Sequence, residues 1–178
     1  MSKIKNLAQR LKFLHFNYSD PTHENLKDRF NDIRIQVFVK EQLCTMEMEF
    51  DGLDEDSLHV LMQYQNDNGD FVDVGIARIL KRLKDYEGEK VAKFGRIAIT
   101  ENFRRKGLAT ELVKYCQQFI EKEKEIFPVN KIALSVQCYT RDLYFNLGYK
   151  PVGEMYIEDM IEHELCIREH QNTTMKNP

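Results

Sequence analysis

The sequence predicts an α/β protein of the α+β type, with a central mixed, mostly antiparallel sheet flanked by helices. Three observations predict it. Apolar and polar residues alternate at period two in "SLHVLMQYQ" (57–65) and "KIALSVQC" (131–138), as half-buried strands require. A period near 3.6 replaces it in the stretches 26–38 and 107–126, as expected of helices that bury one stripe. The elements run strand, helix, hairpin, strand, helix, strand, helix, strands, an order that yields a mixed sheet covered by helices.

Taken in order, "LKFLHFNY" (11–18) reads as the first strand. After the turn-forming "SDPT", Leu26, Phe30, Ile33, Val37 and Phe38 make a helical stripe, with Thr22 near its start and Glu24 in its first turn. An acidic loop, "EMEFDGLDED" (47–56), follows. In 57–65 Leu58, Val60, Met62 and Tyr64 share one face, and Leu61 is the only strongly apolar residue on the other. "NDNG" turns the chain into the returning strand 70–80, where Gly75 is a candidate bulge. A polar linker leads to "AKFGRIAIT" (92–100), read as a strand. The helix from Gly107 to Ile126 buries Leu108, Leu112, Tyr115, Cys116, Phe119 and Ile120 and stops before Pro128. Strand 131–138, a short helix "TRDLYFNLGY" ended by Gly148, and strands 149–157 and 162–168 complete one domain, 1–168. The polar segment 169–178 is expected to be a disordered tail.

The 178 residues, 42% hydrophobic and 31% charged with a net charge of −3, suit one globular core and carry no global bias toward nucleic acid. "MSKIKNLAQRLKFLHF" shows no long apolar signal region, and no apolar run approaches membrane-spanning length. Cys44, Cys116, Cys138 and Cys166 are scattered without C-x-x-C spacing. No metal is expected, and reduced thiols in a cytoplasmic protein are the plain reading. No membrane partner is expected, nucleic acid is disfavoured, and exposed edge strands make a homodimer a candidate.

Chemistry concentrates in "ENFRRKGLATELV" (101–113). Arg104, Arg105 and Lys106 stand at the entrance of a helix, where unpaired N–H groups and partial positive charge call for anions. A strand that feeds a tight glycine-containing loop opening a helix is a way of building an anion site. Gly107 lets backbone approach a phosphate, and Ala109 keeps the next turn small. The spelling excludes a Walker-type loop and a dinucleotide G-x-G-x-x-G. What stands here is R-x-x-G-x-A.

That pattern resembles the acyl-CoA pyrophosphate loop, [QR]-x-x-G-x-[GA], of the GNAT superfamily of N-acyltransferases. "FGRIAIT" precedes it, and "LYFNLGY" (143–149) follows one helix and one strand later, similar to the family's L/F-Y-x-x-L-G-F/Y segment. "IRIQVFVKEQ", "DGLDEDSLHV" and "YIEDMIEHELCI" further resemble an ElaA-like branch, so that the likeness spans roughly 26 to 168.

The resemblance implies a GNAT fold and an N-acetyltransferase that moves an acetyl group from acetyl-CoA to a primary amine of a small molecule or peptide. Backbone groups of Ile97, Ala98 and Ile99 would pair with the pantetheine arm, and N–H groups of Arg105, Lys106, Gly107, Leu108 and Ala109 would hold the pyrophosphate, with Arg104 at the motif's first position. Tyr144 would protonate the departing thiolate as general acid. Gln137 stands where many members carry a cofactor-contacting Asn. Direct transfer in a ternary complex is expected, with Glu47, Glu49 and His163 as candidate bases.

Plainer readings stand beside these. The RRK cluster alone reads as a solvated basic loop or a nucleic-acid patch, and Tyr144 as a core aromatic. The run 47–56, with Glu47, Glu49 and Asp51, either attracts a cationic acceptor or simply faces water, the commoner fate of charge runs; Glu41 is similar. His163, between Glu162 and Glu164 where related sequences read D-G-I-P-H, and His59 are candidate bases or solvent-facing strand histidines. Cys138 is either an inert buried thiol or a neighbour of the cofactor. A catalytically weak acyl-CoA-binding sensor of the same fold is the alternative function.

Overall fold

The computed structural model describes residues 6–158 and 160–169. Its main elements are β1 (Leu11–Asn17), α1 (Glu24–Arg34), α2 (Met46–Glu49), β2 (Ser57–Gln65), β3 (Phe71–Tyr86), β4 (Glu89–Ile99), α3 (Leu108–Lys122), β5 (Lys131–Gln137), α4 (Arg141–Phe145), β6 (Lys150–Glu158) and β7 (Ile161–Glu169). The seven strands form one sheet in the order β1-β2-β3-β4-β5-β7-β6. Every neighbouring pair is antiparallel except β4 and β5. The mixed, mostly antiparallel sheet is thus the one the periodicities predict. Of the predicted tail, Glu169 closes β7 and 170–178 lie outside the described residues.

Alternation along the strands sends side chains to two cores. Leu58, Val60 and Met62 of β2 join Leu108, Leu112, Val113, Cys116 and Ile120 of α3 on one face. Leu61, the single strong apolar residue of the opposite face, packs with Phe16, Ile76 and Ala98 under Phe30 and Ile33 of α1. Two helices on opposite faces therefore leave the middle strands, β3 and β4, covered on both sides.

Several elements differ in extent from the sequence reading, each for a local reason. The helical stripe beyond Arg34 continues as a π-wound segment, Ile35–Glu41, which carries Val37, Glu41 and Gln42 to the sheet's opening. α3 ends at Lys122, four residues early, because "EKEKE" offers nothing apolar to extend its stripe. Buried Phe127 then turns inward and its N–H bonds Glu123 O at 2.8 Å. The "polar linker" is a long hairpin between β3 and β4. Glu87 and Gly88 both take positive φ, 50° and 82°, as a tight two-residue hairpin turn demands, and charged residues on both strands hid it from the alternation.

Gly75 sits where Val74 is the extra residue opposite β2, so the predicted bulge is present. A Cβ there would lie 2.6 Å from Ile99 Cδ1 and 2.9 Å from Ala98 O. Backbone cannot yield cheaply, so Gly75→Ala should cost about 1–3 kcal/mol. In a chain of this size that lowers the melting temperature by about 2–4 °C per kcal/mol, and a melt unchanged from wild type would refute the tight contact.

Candidate active site

The site begins where the sheet comes apart. β4 and β5 run parallel but pair only at Ala92↔Ile132 and Lys93↔Ala133. Beyond Lys93 their backbones diverge, and no ladder between them uses the β4 groups that follow. A bulge sharpens the divergence: Arg96 and Ile97 together face the single residue Ala77, with Arg96 at φ 51°. The opening is one cleft of about 530 Å³ on the α3 side and another of about 540 Å³ beyond the splayed strands.

The first cleft gathers most of the residues singled out in the motif. Ile97, Ala98, Ile99, Arg104, Arg105, Gly107, Leu108 and Ala109 all line it, with Gln137 and Tyr144 from across the gap. After β4 a short 3-10 turn, Glu101–Phe103, leads into the loop. Arg105 and Gly107 both take left-handed φ, 59° and 77°, which curls successive N–H groups toward a common point. Gly107 caps α3 with no side-chain acceptor, and Glu111 N–H to Gly107 O at 3.3 Å is the helix's opening backbone bond. The N–H groups of Leu108, Ala109 and Thr110 are therefore not used by the helix.

The three cations behave differently from one another. Arg104 donates from Nε to Ile99 O at 2.8 Å and pairs with Glu41, so its charge braces the loop against the π segment. Lys106 turns back, its ammonium donating to Asn102 O at 2.9 Å and lying 4.8 Å from the Phe103 ring centroid. Of the three, Arg105 is the exposed side chain that lines the cleft without such a brace. Two of the three cations thus make contacts within the loop and to the π segment.

The two clefts share Gln42, Ile97, Gln137, Thr140 and Tyr144 as walls. Tyr144, from α4, is 8% exposed, and burial lifts its phenol well above the ordinary tyrosine value. Gln137 accepts from Tyr139 OH and its Nε2 lies 3.3 Å from Gln42 Oε1. A profile of the Acetyltransferase (GNAT) domain family matches residues 20–164. The chain belongs to the GNAT acyltransferases. Protein ElaA of Escherichia coli is 31% identical over 138 residues, covering 77% of this chain and 83% of its own. A UPF0039 protein of Schizosaccharomyces pombe is 31% identical over 132 residues, covering 74% and 79%. The crystal structure of E. coli ElaA superposes with TM-score 0.68 at 27% identity over 89% of this chain and 99% of its own. That of an acyl-CoA N-acyltransferase from Pseudomonas aeruginosa gives 0.67, also at 27% identity and over the same shares.

In this GNAT domain the candidate bases occupy quite different places. His163 is 8% exposed rather than facing solvent, lines the second cleft beside Tyr144, and stacks on Tyr156 at a centroid distance of 6.0 Å. Its Nδ1 lies 2.9 Å from Ile161 O. A carbonyl only accepts, so Nδ1 carries a proton and Nε2 is the ring nitrogen not engaged by that bond. Glu49 lines the same cleft, but Arg34 takes one carboxylate oxygen and Arg96 the other, the latter at 3.0 Å. Burial lifts its carboxyl above the usual glutamate range in spite of those partners. Glu47, on exposed α2, lines neither cleft.

The reading of 47–56 as a solvated run holds for exposed Glu47, Glu55 and Asp56 and fails for Glu49, Asp51 and Asp54. Glu49 and Asp54 are buried with Arg34 and Arg78, and His59 is fully buried beside them. Arg34 reaches Glu49 and, at 2.8 Å, Asp54; Arg78 holds Asp51 at 2.6 Å and Asp54 at 2.9 Å; Arg96 adds Asp51 at 3.2 Å. His59 Nε2 lies 3.2 Å from Asp54 Oδ1 within a ring of Phe16, Tyr18 and Phe30. Three guanidiniums thus answer three carboxylates around a histidine. The signal was in the sequence: Arg34 adjoins the apolar stripe and Arg78 interrupts "GIARIL". A cation on an apolar face demands a buried acid.

Two expectations follow from this geometry. At Gly107 a Cβ would meet only Leu7 Cδ2, at 3.6 Å, an ordinary contact. Gly107→Ala should therefore cost about 1–2 kcal/mol of conformational strain, yet weaken coenzyme A binding by about tenfold or more in calorimetry. Unchanged affinity would show that the N–H cradle is not the binding loop. Second, burial pushes the His59 imidazole below its ordinary value despite Asp54. The unfolded histidine takes a proton near pH 6.5 and the folded one only at lower pH, so the unfolded state binds more protons between. Stability should fall as pH drops below about 6.5. Urea midpoints at pH 7.5 and 5.5 should show this for wild type and a smaller difference for His59→Gln.

Proposed function

We propose that this GNAT domain transfers an acetyl group from acetyl-CoA to a primary amine of a small molecule or peptide, directly and within a ternary complex. One observation carries the reading. Two clefts of similar size meet at Ile97, Gln137 and Tyr144, which is what joining a donor to an acceptor requires. An acyl-CoA sensor would have no use for the second cleft.

The donor fits the first cleft by its chemistry. The diverging edge of β4 at Ile97–Ile99 suits the amide-bearing pantetheine arm, and the N–H groups from Arg105 to Ala109 suit a pyrophosphate. The thioester then lies toward Tyr144. The amine lone pair attacks the thioester carbonyl, the C–S bond breaks, the amine's proton passes to His163 Nε2, and the thiolate receives the Tyr144 proton. Burial keeps the Tyr144 phenol protonated through neutral pH. It also makes a phenolate costly there, so proton donation must be tightly coupled to the proton lost by the amine. An amine like that of lysine, with a pKa of about 10.4, must first give one proton of its ammonium form to bulk water, so that the free amine enters the cleft. Direct transfer is favoured over an acylated cysteine because Cys138, facing Glu164 at 3.6 Å, has its thiol pushed up by burial and that carboxylate.

The test is acetyl-CoA with a panel of primary amines, read as thiol release. Turnover with at least one amine is expected, and a silent panel with a protein that binds coenzyme A would leave only the sensor. Tyr144→Phe should lower single-turnover acetylation by about 10²-fold or more while coenzyme A affinity stays near wild type. An unchanged rate would remove Tyr144 from proton transfer.

A further inference from the structure

Cations outnumber acids around the second cleft: Arg78, Lys84, Lys93 and Arg96 line it against Glu49, Asp51 and the exposed Glu158. Glu49 and Asp51 line it, but both are held by Arg96, with Arg34 and Arg78 completing the pairs. Lys93 also lines the cleft, and its ammonium donates to Ser135 Oγ at 3.1 Å. Among the described residues no carboxylate comes within 4 Å of it. Glu158 acts on Lys93 from farther away, while Lys84, Arg96 and Arg78 add like charge. Burial and those cations hold its pKa down. An ammonium has three donors and Ser135 accepts one. A partly desolvated cation with spare donors, inside a cleft, is costly unless an anion comes to it.

The lysine is also rigidly held. Its backbone is half of the Lys93↔Ala133 pair at the apex of the strand divergence, so strand geometry fixes where its stem starts. Ser135 is held from the other side by Tyr156 OH at 2.7 Å, and the Tyr156 ring stacks on His163. Ser135 and Gln137 share one face of β5, two residues apart, which sets them about 6.6 Å from each other along the strand.

We propose that the acceptor is an amine that also carries a carboxylate, and that Lys93 with Ser135 receives the carboxylate while the amine lies at Gln137 and Tyr144. The spacing along β5 selects acceptors in which several atoms separate the two groups, as in ω-amino acids or short peptides, over α-amino acids. Lys93 is then a specificity residue that touches substrate and takes no part in proton transfer. This rests on the acyltransferase reading above, so its test is made independent of turnover.

Glycine, γ-aminobutyrate, δ-aminovalerate and the primary amide of each are titrated calorimetrically into the protein, with and without free coenzyme A, which cannot acylate them. The two longer acids should bind about tenfold or more tightly than their amides, and glycine should bind more weakly than either. Lys93→Met should erase the acid-over-amide preference, and Lys93→Arg should keep it. Acids and amides binding alike to wild type, or Lys93→Met weakening both to the same degree, would overturn the proposal. Failure of coenzyme A itself to bind would sink the acyl-transfer reading, while the acid and amide pairs on the free protein still decide the carboxylate site.

Discussion

The whole site depends on a pairing that stops. β4 and β5 are joined by two residue pairs, Ala92↔Ile132 and Lys93↔Ala133, and then separate. Parallel strands ordinarily continue their ladder because an unmade backbone bond in a buried place is expensive. Here the cost is tolerated because both strands are secured on their other sides, β4 by β3 and β5 by β7. The groups left over at the divergence are where the proposed function seats an amide-bearing arm. Loop, helix start and tyrosine all sit around that gap.

What keeps β4 bent is electrostatic. Arg96, at the bulge with φ 51°, is tied to Glu49 and Asp51, and those acids share Arg34 and Arg78. An arginine in left-handed backbone is strained, and its ion pairs hold it there. Removing one member would leave an unanswered charge in the interior, a loss of about 3–5 kcal/mol. The cluster connects α1, α2, β2, β3 and β4, so Glu49, Asp51 and Asp54 act as mortar between helix and sheet.

Much of this was readable in the residues. Alternation in 57–65 and the stripe in 26–38 defined both cores, and the R-x-x-G-x-A spelling located the loop, because short-range periodicity and glycine placement are local properties. Arg34, Arg78 and Arg96 were not read as a set. Their partners lie 15 to 47 residues away, and nothing local distinguishes a buried acid from a solvated one. The hairpin at 86–89 was hidden by charges on both strands, and the fate of Lys106 turned on a side-chain rotamer that spacing does not encode. The acidic neighbours of His163 in sequence point to solvent, yet cross-strand pairing with Gln137 and Tyr156 buries it.

Tyr144, Gln137 and Ile97 are walls of both clefts at once. Under the proposed function, a molecule settling in either cleft would touch side chains that the other must also touch, and the second arrival would find part of its ordering entropy already spent. Such coupling is reciprocal by thermodynamic necessity: whatever factor the first guest contributes to the affinity of the second, the second returns to the first. With acyl-CoA and amine placed as proposed, the walls common to both clefts would couple the two affinities before any bond is exchanged.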